Sequence, residues 1–229
     1  MLKEIEMDLP YVKSDNISPC DSVTDYEKSW KSKRIRFSLM TRCMTAMIER
    51  LMPKIEIAEI KKIVIECVEN NPRERIINLE GICFIQILFN IDDFFGMDDY
   101  TKKQYVIAKI LEAVKLLEIK KNYDLSEIKK ACGIIMKKNY VNEWFWKKST
   151  KHKNKVAQVK IKHDIEEVRI YIVISSKGSI TQEEFLVACE KPDEWFYNRL
   201  LGKIMWVSDE QIQLIAKDGE IHSVYYHNS

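Results

Sequence analysis

Glycine and proline are scarce, at six and five in 229 residues. Few turns can then rely on positive φ or on a locked φ, which favours helices over a turn-rich sandwich. Excess charge of one sign is also missing. The formal net charge is only +2, so no global field draws the chain to nucleic acid or anionic lipid. Long apolar runs are absent too. The most apolar stretch, Gly81 to Ile91, contains Gln86 and Asn90 and falls short of the roughly 20 residues that cross a bilayer. The opening MLKEIEMDLPYV is interrupted by charge before an apolar run forms, so no secretory leader is expected and the chain is expected to stay in the cytosol unless another protein exports it.

Paired cysteine motifs are lacking as well. Cys20, Cys43, Cys67, Cys83, Cys132 and Cys189 include no C-x-x-C. Reduced, mostly buried thiols are expected. His152, His163, His222 and His227 form no H-E-x-x-H, and the last two, five apart, would face opposite sides of a strand. The acidic NIDDFFGMDDY resembles a cation loop only in charge. With Gly96 at the conserved glycine place, ligand positions fall on Ile91, Phe95 and Lys102. Neither G-x-G-x-x-G nor G-x-S-x-G occurs, and SSKGS lacks phosphate-loop spacing. Glu166-Glu167 and Glu183-Glu184 are adjacent and point apart. No catalytic residue, metal or cofactor is assigned.

The remaining 46% hydrophobic and 31% charged composition is that of a folded protein. Residues 1–24 show no sustained period and are expected to form an extended arm, with a short strand around Ile5. Residues 25–146 are expected to be helical. Phe37, Met40, Met44, Met47, Ile48 and Leu51 share one helix face, limited by Pro53. Ile57, Ile60, Val64, Cys67 and Val68 predict a second helix. Asn71 as N-cap, Pro72 and Glu74 predict a third, apolar on nearly all sides through Phe89 and so central to a bundle. Asp98 or Asp99 caps a fourth with Val106, Ile110, Val114 and Leu117. Asp124 to Glu127 opens a fifth with Ile128, Ala131, Cys132 and Ile135.

After Lys155 the period becomes two. Val156, Gln158, Lys160 and Lys162 alternate with Ala157, Val159, Ile161 and His163. Val168, Ile170, Ile172 and Ile174 alternate with Arg169, Tyr171 and Val173. A short helix after Thr181 and another through Trp195 are expected, then strands around the Asp218-Gly219 turn. The predicted fold class is α+β: an N-terminal bundle of about five helices, a basic linker over 147–155, and a mainly antiparallel sheet with one or two short helices over 156–229.

Two features bear on function. Asn142 to His163 carries seven lysines and no acid between Glu143 and Asp164. Lys147, Lys148, Lys151, Lys153 and Lys155 read mainly as a solvated linker, with phosphate binding as the alternative. Twelve acids against six Lys/Arg in 164–229 oppose that alternative. Glu-Trp-Phe occurs twice, giving Trp144, Phe145, Trp146 and Trp195, Phe196, Tyr197. These aromatics suit core packing or a partner-binding patch. The first expectation is a non-enzymatic cytosolic module that binds another protein, one version being a toxin-neutralising inhibitor of the immunity-protein kind. A nucleic-acid-binding regulator using Lys147–Lys162 and an enzyme with a site at the junction of the two parts are the alternatives. Oligomeric state is left open.

Overall fold

A computed structural model describes residues 1–11, 21–176 and 182–226. The chain divides into two compact units, Met1–Val141 and Asn142–Ser229. Among the described residues, no helix is long and apolar enough to cross a membrane.

In the first unit β1 (Glu4–Asp8) is followed by α1 (Asp21–Asp25), a π-helical turn (Tyr26–Trp30) and α2 (Lys31–Leu51). Then come β2 (Lys62–Val68), β3 (Ile77–Leu79), β4 (Ile82–Leu88), α3 (Ile91–Gly96), α4 (Asp99–Lys121) and α5 (Ser126–Lys137). The sheet order is β1-β2-β4-β3, with β1, β2 and β4 parallel and β3 antiparallel to β4. Helices α2, α4 and α5 pack with one another, α2 also against β1 and α4 against β4. Residues buried in this core include Ile5, Met7, Ile65, Ile87, Phe37, Met44 and Ile110. The backbone N–H of Ile5 donates to Glu49 Oε1 at 2.9 Å, so α2 satisfies a donor on the β1 edge.

This unit corrects the expected five-helix bundle. Its second and third helices are strands β2 and β4. Both are interior strands with apolar neighbours on each side, and such strands read as near-continuous apolar runs that imitate a buried helix. What decides is β-branching (Ile63, Val64, Ile65; Ile82, Ile85, Ile87) and the turn before β4. Glu80 and Gly81 both have positive φ, 51° and 87°, as a two-residue hairpin needs. A Cβ on Gly81 would lie 2.8 Å from the Glu59 carbonyl oxygen, so glycine is required there. Asn71, expected to cap a helix, instead sits at φ 46°. Asp98 does cap α4, accepting from the Thr101 N–H at 3.0 Å. The expected arm contains β1 and α1, while residues 12–20 lie outside the described residues.

The second unit holds β5 (Glu143–His152), β6 (Lys155–His163), β7 (Val168–Ser176), β8 (Gln182–Glu190), α6 (Glu194–Tyr197), β9 (Lys203–Trp206), β10 (Gln211–Ile215) and β11 (Ile221–Tyr225). They form antiparallel sheets ordered β5-β6-β7-β8 and β11-β10-β9. Strand β9 contacts β5 and β11 contacts β8, so the sheets share one core. Ala157, Val159, Ile161, Ile170, Ile172, Ile212 and Leu214 fill it. The stretch 147–155 is not a linker: it is most of β5, the turn at Lys153-Asn154 and the start of β6. Trp144 and Trp146 alternate inward between exposed neighbours, a strand pattern concealed by the lysines. The helix expected after Thr181 is β8, whose Phe185 and Val187 pack on the same core. Thr181 and His227 lie outside the described residues.

Candidate partner-binding face

The inward side of the β5–β8 sheet is committed to the core, so alternation sends the other residues outward. Register then aligns them. Phe145 pairs with Lys160, Lys160 with Tyr171 and Tyr171 with Leu186. One row of four side chains thus crosses all four strands. Phe145 is 43% exposed and Leu186 54%, with the Lys160 stem and the half-buried Tyr171 ring between them. The adjacent row is Glu143, Lys162, Arg169 and Cys189. On the other side lie Ser149, Gln158, Val173 and Glu184, of which Val173 is buried.

Ionic contacts organise this face. Lys160 Nζ lies 2.9 Å from Glu184 Oε1 and 3.4 Å from Glu143 Oε2, and Lys162 Nζ lies 3.2 Å from Glu184 Oε2. The Lys162 ammonium also sits 4.8 Å from the Tyr171 ring centroid. The hydrogen bond from Lys160 holds the Glu184 carboxyl below its ordinary pKa, with Lys162 adding to the effect. The bond to Glu184 correspondingly raises Lys160, with Glu143 reinforcing it against partial desolvation. Surface pairs of this kind contribute about 0–1 kcal/mol each. Covering what remains exposed of Phe145 and Leu186 contributes roughly half of the 1.5–3 kcal/mol of full burial for each. The apolar row is therefore the source of affinity, and the charges set orientation and partner choice.

The six aromatics singled out from the sequence separate. Tyr197 is core, with its ring 6.4 Å from Trp144 and 5.9 Å from His163. Trp144 and Trp146 are partly buried against the same core. Phe196 is half-buried, with the Lys191 ammonium 5.1 Å from its ring. Only Phe145 and Trp195 are exposed, Trp195 by 86%. The turn bearing Trp195 is fixed by Asp193, which accepts from the Trp195 N–H at 2.8 Å, and by the His163 ring nitrogen 3.1 Å from the Pro192 carbonyl oxygen.

The five lysines separate as well. Lys148 donates to the Gly202 carbonyl at 2.7 Å and covers Trp146. Lys153 pairs with Asp209, which also lies 2.6 Å from His152. Lys155 is buried, its ammonium 4.1 Å from the Tyr226 ring centroid. Lys147 and Lys151 are exposed. Sequence reasoning missed Tyr171, Leu186, Lys160 and Arg169 as members of one surface. The alternation of β6 and β7 already separated their outward sets, but Leu186 lay in a segment expected to be helical.

Among the described residues, no group of three or more His, Cys, Asp or Glu could hold a metal ion. Cys67, Cys83 and Cys132 are pushed up by burial, Cys132 to about 12, which leaves them protonated and poorly nucleophilic at neutral pH. No family model matches the chain, and no match was found among curated proteins or solved structures.

Proposed function

We propose that this chain is a protein-binding module that docks its partner on the outward face of the β5–β8 sheet. The reading is carried by the row Phe145–Lys160–Tyr171–Leu186, with apolar groups exposed at both ends and a cationic amine within it. Lys151, Lys160, Lys162 and Arg169 stand on this face against the carboxylates Glu143 and Glu184 and against Glu167, which pairs with Arg169. Its complement is a protein surface with an apolar ridge bordered by acidic side chains. The more specific version is an inhibitor that occludes a toxin in the cytosol, and the buried reduced thiols fit that compartment.

Affinity isolation from the native host, with the full chain as bait, tests the proposal. One stoichiometric partner with an acidic contact patch is expected. Phe145→Ala and Leu186→Ala should each weaken its binding about tenfold or more, as truncation of a central anchor does. Recovery of free chain alone under conditions that preserve complexes, or unchanged affinity in both variants, refutes this face. Phosphate binding by the lysine stretch has weaker support, since Lys148, Lys153 and Lys155 already have partners within the unit.

A further inference from the structure

The carboxyl ends of the parallel strands β1, β2 and β4 border a cavity of about 480 Å³ in the first unit. Ligand sites are concave, with apolar walls and a few polar groups placed among them. One wall is Trp30. Its indole N–H donates to the Leu9 carbonyl at 3.2 Å, and Tyr11 packs edge-on at 6.2 Å. The ring is thus anchored before any ligand arrives. Pro10, Val68 and Ile91 add apolar surface.

The polar lining comes from the loop after β2. Glu69, Asn70 and Asn71 line the cavity, and the φ of 46° at Asn71 marks a sharp change of chain direction there. Gln86 also lines it, but its amide is committed: Oε1 accepts from the Arg73 N–H at 2.7 Å and Nε2 donates to Glu66 at 3.1 Å. Nearby cations are committed too. Arg73 pairs with Glu66 at 2.7 Å, Arg34 with Asp8 at 2.6 and 2.7 Å, and Lys33 with Asp92 at 3.0 Å. Among the described lining residues, Glu69 is the one charged side chain.

We propose that this cavity binds an uncharged purine base or nucleoside. An asparagine amide offers a donor beside an acceptor, the pattern that pairs with a purine edge. The fixed indole supplies a ring for stacking, with the Lys33 ammonium 5.5 Å from its centroid. The volume falls within the range of small-molecule sites. Glu69, with Arg73, Arg34 and Lys33 among the described residues already paired, disfavours phosphate, so the nucleoside should bind better than the nucleotide. This site belongs to the first unit and is independent of the partner face.

Calorimetric titration of the full chain with adenosine and guanosine tests it, with the corresponding monophosphates and spermidine as controls. Binding of at least one nucleoside, weaker binding of its monophosphate, and no spermidine binding are expected. The double variant Asn70→Ala/Asn71→Gly removes both amides, and glycine tolerates the positive φ at position 71. It should bind the nucleoside about tenfold more weakly at an unchanged melting temperature. Trp30→Leu should weaken binding by a similar factor. Absence of binding by both nucleosides, unchanged affinity in the double variant, or binding of spermidine in their place overturns the proposal.

Discussion

At the scale of single residues, burial divides the thiols. Cys43, Cys67, Cys83 and Cys132 are buried and free, and Cys189 is exposed on the outward row beside Arg169. Burial both blocks access and disfavours the thiolate. In a Cys20→Ser background, a thiol reagent applied under native conditions should modify Cys189 and leave the other four untouched until the chain unfolds. Mass spectrometry of the labelled peptides checks this. Rapid labelling of Cys67 or Cys132 in folded protein would contradict the packing. The sequence made this pattern readable, because these cysteines lie within apolar periods, and burial does not depend on whether the period is read as helix or strand. It made the fate of the lysines unreadable. Nothing local distinguishes Lys155, held against Tyr226, from Lys151 in solvent, since the ring arrives from seventy residues away.

At the scale of elements, β6 and β8 are linked by Glu184 across β7. Its folded pKa is depressed, so the stabilisation it contributes is present above its unfolded pKa and is lost as pH falls through the folded one. The raised Lys160 has the opposite sense: its contribution is present below the ordinary lysine range and is lost only in strong alkali. Glu184→Gln should therefore lower stability at neutral pH by about 1 kcal/mol or less, Glu184 being a partly exposed carboxylate. The variant should converge with the parent only once the pH has fallen below the depressed folded pKa of Glu184. Urea unfolding at neutral and acid pH measures both arms. An equal deficit at all pH values would mean that shape rather than charge is responsible. The elements were legible where a cap or a strict alternation marks them: α4 behind Asp98, and β6 and β7 with their outward polar sets. They were illegible where apolar residues fill both faces of a strand, even where one face is part-exposed as in β4. β2 and β4 were mistaken for helices because apolar residues at nearly every position satisfy any period.

At the scale of the molecule, each unit is a continuous stretch of chain with its own buried set, and no strand of either sheet system is borrowed from the other. The shift of period read after Lys155 does not mark the division, which falls between Val141 and Asn142, because β2 and β4 precede it and β5 begins at Glu143. The consequence of the division concerns synthesis. A ribosome would deliver every strand and helix of the first unit before the first strand of the second emerges, so the first can fold while the rest is still being made. A chain stopped after Val141 should accordingly melt as one cooperative transition in calorimetry, and a gradual, featureless melt would show that the early half waits for the late one. The later unit has no such freedom. Its core takes Val224 and Tyr226 from the last described strand and its border, and its largely aliphatic interior must stay open to chaperones and solvent until those residues leave the tunnel.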